Sequence, residues 1–297
     1  MLKPRRTLHL ATLFTLGALA LGSLSACAPK RAKLPYIEVP PGAGKAEAAA
    51  LIEEGNAAFR NRHERAQLEL AKDKFEQALA IDPRHPGVGG QLAWIYFILG
   101  EYYTDKDDTE TRKNYYHVGR EYALKGLEAN PKMREILEND GDIRDALPFA
   151  TIDDVPALYW GAIDWGRWGQ LVGLIRMGLD IPKIKAMNDR VMELDESYLE
   201  YSVHRFYGVY YVEIPVGKDP EKSREHFEIA IAKSKALTTK VLMAEYYATF
   251  MDDRELYVRL LNEVVAAKLD PNDPLRLDDE HAQQYARELL DEVDDIF

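Results

Sequence analysis

One cysteine in 297 residues rules out an intramolecular disulfide, and with seven histidines and no cysteine pair there is no cysteine-rich metal site. Positive charge is also scarce. Lys and Arg number 38 against 50 Asp and Glu, a net charge of -12, so the broad basic surface that nucleic acid requires is missing. Alternation of the kind that makes half-buried strands is nowhere convincing, and after residue 24 there is no long uninterrupted apolar run. What is present is 46% hydrophobic residues, enough for a substantial core, arranged with helical periodicity almost to the end.

The only extended apolar stretch, Leu8 to Leu24, follows the basic residues Lys3, Arg5 and Arg6 and reads as a targeting segment. It runs into Leu24-Ser25-Ala26-Cys27, which resembles the lipobox of bacterial lipoproteins. That resemblance implies that residues 1–26 are removed and that the Cys27 thiol is acylated. Cleavage there discards three basic residues and no acidic one, leaving a body more acidic than the whole. Several acyl chains anchor a protein firmly where one does not. Ala28 stands where an Asp often marks retention at the inner membrane, which favours the outer membrane. Residues 27–44, with Pro29, Pro35, Pro40, Pro41, Gly42 and Gly44, read as a flexible spacer. Within it Gly42-Ala43-Gly44-Lys45 is no phosphate loop, because Val39 and Ala46 replace the first Gly and the hydroxyl residue of that motif.

Residues 45–297 read as a single all-α domain of stacked helical hairpins, a degenerate superhelix like that of tetratricopeptide repeats. Ala71, Phe75, Ala78 and Pro83 have the spacing of a second repeat helix, and Gly55 with Phe59 supplies the first. Similar units recur at Gly119, Ala123 and Gly126 before Pro131, at Gly208 and Tyr211 with Phe227 and Ala230, and at Leu256 to Pro271. Pro83 and Pro131 are too far apart for the standard 34-residue period, so insertions separate the units. Residues 278–297 suit a capping helix.

Val155 to Leu179 is the segment that does not read as a repeat, and it holds three of the four tryptophans. Read as one helix, it carries a small-residue stripe of Ala162, Gly166, Gly169 and Gly173 for close approach by another backbone. Its second face is bulky, with Trp160, Ile163, Trp168, Leu171 and Ile175. Asp164, Arg167 and Arg176 argue against a membrane span.

A lipobox, cryptic repeats and the segment Leu158-Tyr159-Trp160...Trp165-Gly166...Trp168 together resemble the T component (TatT) of tripartite ATP-independent periplasmic (TRAP) transporters. The resemblance implies a periplasm-facing lipoprotein that assembles as a homotrimer and binds the extracytoplasmic solute-binding protein. It also implies a partly hydrophobic channel through each protomer for a small organic or hydrophobic ligand. Tyr159, Trp160, Trp165 and Trp168 are the candidate channel residues.

Enzyme chemistry is not expected. His63-Glu64 opens a zinc-protease-like string, but Gln67 replaces its second histidine. Asp105 to Tyr116 has acidic calcium-loop spacing, but Glu110 and Tyr116 occupy the essential Gly and Glu positions. The pairs Asp153-Asp154, Asp252-Asp253 and Asp294-Asp295 fit helix caps and solvated faces better than acid-base work, though they keep a carboxylate-based hydrolase as an alternative. The other alternative is a generic repeat scaffold for envelope assembly, with Trp94, Tyr96, Phe97, Tyr102, Tyr103, Tyr115 and Tyr116 as aromatic area for a protein partner. No cofactor, metal or nucleic acid is expected, and the membrane is contacted through lipid.

Overall fold

Helix starts in this chain are written in short polar side chains. Asp108, Asn130, Asp142, Asp219 and Asp253 each sit just before a helix and accept a hydrogen bond from a backbone N–H of its first turn. Pro131, Pro156 and Pro220 occupy first turns, where the missing N–H has no intrahelical role.

The computed structural model describes residues 31–139 and 141–297. Cys27 and the targeting segment lie outside them. Among the described residues there are fourteen α-helices and no strand, so the fold is all-α. α1 (Lys45–Phe59) pairs with α2 (Arg65–Ile81), and α3 (Val88–Tyr102) with α4 (Thr109–Leu127). Two short helices, α5 (Pro131–Leu137) and α6 (Ile143–Ala146), lead to α7 (Val155–Val172), which lies against α3, α4 and α8 (Leu174–Leu194). α9 (Tyr198–Glu213) pairs with α10 (Pro220–Lys233). α11 (Thr238–Leu242) continues into a π-helical turn, Met243–Ala248. α12 (Arg254–Ala266) packs on α13 (Arg276–Asp291), and α14 (Val293–Ile296) ends the chain.

The expected pairing residues meet. A Cβ on Gly55 would stand 3.1 Å from the Phe75 ring, and one on Gly208 would stand 2.7 Å from the Phe227 ring, so each glycine seats the aromatic of its partner helix. Pro83 follows the end of α2, whereas Pro131 opens a helix rather than closing one.

Three expectations need correction. The segment 155–179 is two helices, because Gly173, at φ 132, ends α7 and α8 starts at the next residue. The small-residue stripe seats little backbone: Gly166 has nothing within 4 Å, and a Cβ on Gly169 would meet the Met177 sulfur at 3.0 Å and its Cα at 3.7 Å. Close backbone approach happens instead at Gly89 against Gly126 and at Gly90 against Pro156 and Ala157, where α3 meets α4 and α7. Lastly, Ile175 does not continue the bulky face of Trp160 and Trp168, since it lies past the break at Gly173 and is 86% exposed.

Two hydrophobic cores result. One is built from α1 to α9 with Leu277 of α13 and includes Phe75, Leu92, Tyr116, Leu158 and Trp160; the other gathers residues between Val212 and the C-terminus around Phe227, Tyr257 and Leu261. No described helix is long and apolar enough to cross a membrane.

Candidate functional site

α7 carries all four candidate channel residues, and its start is held firmly. The Asp154 carboxylate accepts from both the backbone N–H and the hydroxyl of Thr151, a capping box one turn ahead of the aromatic run. Tyr159, Trp160, Trp165 and Trp168 are all buried. The structure divides them into two groups. Tyr159 and Trp160 join Trp94, Phe97 and Tyr198: the Trp160 indole stacks on Trp94 at 5.1 Å, has Phe97 at 5.0 Å and meets Tyr159 edge-on. Tyr159 in turn meets Tyr198 at 5.6 Å.

Trp165 and Trp168 form the second group around Arg120 of α4. The guanidinium lies 5.1 Å from the first ring and 4.8 Å from the second, and its Nη2 donates to Glu121 at 2.7 Å. Cation-π contact and one carboxylate hold this buried cation, while Nη1 has no hydrogen-bond partner. Burial pulls the Arg120 guanidinium below its ordinary range, with Glu121 opposing. His117 stacks on the Trp168 ring at 5.2 Å.

Asp164 separates the two groups. It is fully buried, and neither carboxylate oxygen has a partner. Burial pushes this carboxyl well above the usual range, Arg120 opposes and Glu101 reinforces the rise. The indole N–H groups of Trp94 and Trp165 are also buried without partners. An interior that leaves a carboxyl, a guanidinium nitrogen and two indole N–H groups unpaired has spare hydrogen-bonding capacity, which water or a polar ligand can use.

A cluster of charged side chains lies beside this interior. Glu101, near the end of α3, accepts from the Tyr116 hydroxyl at 2.6 Å, from Arg112 at 3.2 Å and from Arg167 of α7 at 3.0 Å. Burial works to raise the Glu101 carboxyl, but Arg167, the Tyr116 hydroxyl and Arg112 together hold it below the usual range. Arg167 also faces Tyr246 and Glu245 of the π-helical turn. Yet 33% of its side chain stays exposed. The side chain thus interacts with groups of α3, α4 and the π-turn while remaining partly open to water. Burial raises the Glu245 carboxyl against the pull of Tyr285, which donates to it at 2.6 Å, and of Arg167. On the same side Tyr102 donates to Asp278 at 2.9 Å and stacks on His281 at 4.1 Å. Shifted carboxyls gathered with two arginines, at a π-helical turn, are the usual physical marks of a binding site.

A backbone irregularity borders the Tyr159 group. Leu199, Glu200 and Tyr201 have φ of 47°, 57° and 56°, a left-handed turn at the start of α9. Arg205 caps it, donating to the Glu200 carbonyl at 2.7 Å and the Leu199 carbonyl at 3.0 Å. Among the described residues no group of three or more His, Cys, Asp or Glu side chains is placed to hold a metal ion.

Sequence reasoning singled out the tryptophans but missed Arg120, Glu101 and Glu245. The only advance signal was a buried-looking helix holding charges: Asp164 and Arg167 stand inside the apolar run of α7.

The comparison with known families decides the assignment. Residues 97–297 match the family described as TRAP transporter T-component. The chain belongs to that family. The match takes in the end of α3 and all of α4 to α14, and so the Arg120 and Asp164 interior, the Arg167 cluster and the four candidate channel residues. A T-component role associates the protein with a TRAP transporter system at the cell envelope. No curated protein matches the chain.

Proposed function

We propose that this T-component is a periplasm-facing lipoprotein, acylated at Cys27 and held at the outer membrane. It binds the extracytoplasmic solute-binding protein, assembles as a homotrimer and acts by binding rather than by catalysis. A small organic ligand enters past Arg167 toward the Trp160 and Trp168 groups. The family match over residues 97–297 carries the reading. The ligand path draws support from the unpaired buried groups around Asp164 and from the open face of Arg167. Arg167 supplies a fixed positive charge for an anionic group, and the indoles supply apolar area for the remainder.

The test is a co-purification of the full-length protein with the cognate solute-binding protein, with light scattering on the detergent-solubilised sample. A trimer that retains the solute-binding protein is expected. A strict monomer that ignores it would sink both assignments. For lipidation, a fatty-acid probe should label the wild type and not Cys27→Ser; label kept by the variant rejects Cys27 as the attachment point.

A further inference from the structure

The two hydrophobic cores share one helix. Val203 and Tyr207 of α9 lie in the first core, and Val212, near the end of the same helix, lies in the second. Away from α9 the halves are bridged along α13, whose backbone packs on α11 and α12 and whose Ala282, Ala286 and Leu289 belong to the second core. A different side of α13 is polar. Asp278, His281, Tyr285 and Glu288 follow one another by three, four and three residues, so they form one stripe along the helix.

That stripe meets the turns of the first two hairpins. The Tyr102 hydroxyl, at the end of α3, donates to Asp278 at 2.9 Å, and the Tyr102 ring stacks on His281 at 4.1 Å. Lys106, between α3 and α4, donates to Glu288 at 2.6 Å and lies over the Tyr285 ring. Arg62, between α1 and α2, donates to the Pro274 carbonyl just ahead of α13 and stands 3.9 Å from Asp278. Among the described residues Leu277 is the one α13 side chain in the first core. The seam is therefore a row of long polar side chains around a single leucine.

It is also incompletely bonded. Arg62 Nε, Asp278 Oδ2 and Trp94 Nε1 are buried without hydrogen-bond partners, and the Arg62 guanidinium lies 5.1 Å from the Trp94 ring. Water satisfies such groups when a seam parts, and a hydrogen bond exchanged for one to water costs little net. Lifting α13 off the hairpin turns uncovers one leucine, whereas lifting it off α12 would open the second core. Arg167 faces Glu245 and Tyr246 across the same division, again through charge and not through apolar packing.

We propose that the α13 stripe is a releasable clasp: the second half pivots at the end of α9, freeing α13 from Arg62, Tyr102 and Lys106 and opening the interior beside Trp94 to solvent. Such sub-global openings draw on the weakest-packed boundary in a fold, and this boundary has the least apolar area to lose. The clasp needs neither ligand nor partner, so it stands apart from the ligand path proposed above.

The experiment uses the full-length protein carrying Leu277→Cys or, separately, Leu261→Cys in the second core, modified by iodoacetamide under native conditions. Peptide mapping assigns the label, whatever the state of Cys27. Position 277 should be modified about tenfold faster than position 261, because the pivot uncovers the first and leaves the second packed. Tyr102→Phe, which removes the bond to Asp278 and keeps the ring, should speed modification at 277 several-fold and leave 261 unchanged. Linking Lys106 to Glu288 with a carbodiimide should slow modification at 277 several-fold. Equal rates at 277 and 261 mean that only unfolding uncovers the seam, and they overturn the proposal. A Tyr102→Phe variant that speeds both positions, or neither, overturns it as well. If Tyr102→Phe does not fold, Lys106→Ala at the exposed end of the seam takes its place with the same expected rates. A verified Lys106–Glu288 link that leaves the rate at 277 unchanged refutes the clasp in the unmutated seam.

Discussion

Gly89 and Gly126 touch backbone to backbone where α3 crosses α4: a Cβ on Gly89 would stand 2.5 Å from the Gly126 Cα. No side chain is available there to move aside, so the two helices would have to separate. Gly89→Ala should therefore destabilise the protein by about 1–3 kcal/mol, the range for overpacking. Gly166→Ala is the counterpart, in a helix interior with nothing within 4 Å, and should stabilise by about 1 kcal/mol through helix propensity. Urea unfolding of the two variants should shift the midpoint in opposite directions.

Asp164 makes a prediction about pH. Burial raises its carboxyl well above the ordinary range, so in the folded protein it keeps its proton while in the unfolded chain it ionises near pH 4. The folded state then binds more protons, and this group's contribution to stability falls as pH rises from about 4 toward the raised value. Asp164→Asn removes the effect. Its stability relative to wild type should improve between pH 4.5 and pH 7.5 in denaturant titrations. A variant equally weakened at both pH values would mean that the carboxylate is ionised and paired with Arg120.

His226 should act in the opposite direction. Burial, then the charges of His204 and Lys222, lower it to about 4, and its Nδ1 lies 2.9 Å from that of His204. Between about pH 4 and the unfolded value near 6.5 the unfolded chain holds the extra proton, so stability is full above 6.5 and drains away as pH falls. The unfolding midpoint of the wild type should drop between pH 7.5 and pH 5, and by less in His226→Phe. Equal slopes in the two proteins would reject this assignment.

The left-handed turn at residues 199–201 yields a fourth test. Left-handed backbone costs a residue with a Cβ about 1–2 kcal/mol, and glycine escapes that cost. Glu200, at φ 57°, has only its carbonyl engaged by Arg205, and glycine retains that carbonyl. Glu200→Gly should raise thermal stability by about 1 kcal/mol, whereas Arg205→Ala should lower it by uncapping two carbonyls. A destabilised Glu200→Gly would show that the side chain, and not the backbone, matters at that position.

The helical class was legible because it rests on local rules. Gly55 with Phe75 and Gly208 with Phe227 pair across their hairpins as their spacing suggested. The aromatic residues of α7 announced themselves by composition. The break at Gly173 did not, because apolar periodicity continues past it into Leu174 and Ile175, and a glycine within a helical pattern is ordinary until its φ is known. The Arg167 cluster was hidden for another reason. Glu101 and Glu245 stand far apart in sequence, and Arg120 is one more charged residue on a charged helix until α7 is laid across it. Spacing within one element cannot disclose a site whose members come from α3, α4, α7 and a π-helical turn.

The four tryptophans also divide the molecule optically. All lie between positions 94 and 168, in or against the first core, whereas the second core has tyrosine and phenylalanine but no indole. Selective indole emission therefore reports on one half of the chain, and far-ultraviolet dichroism reports on both. If emission and dichroism follow a single melting curve, the two cores unfold as one unit. If emission holds while dichroism falls, the C-terminal half opens first, and Arg120, pressed between Trp165 and Trp168, serves as an internal sentinel for the half that stays closed.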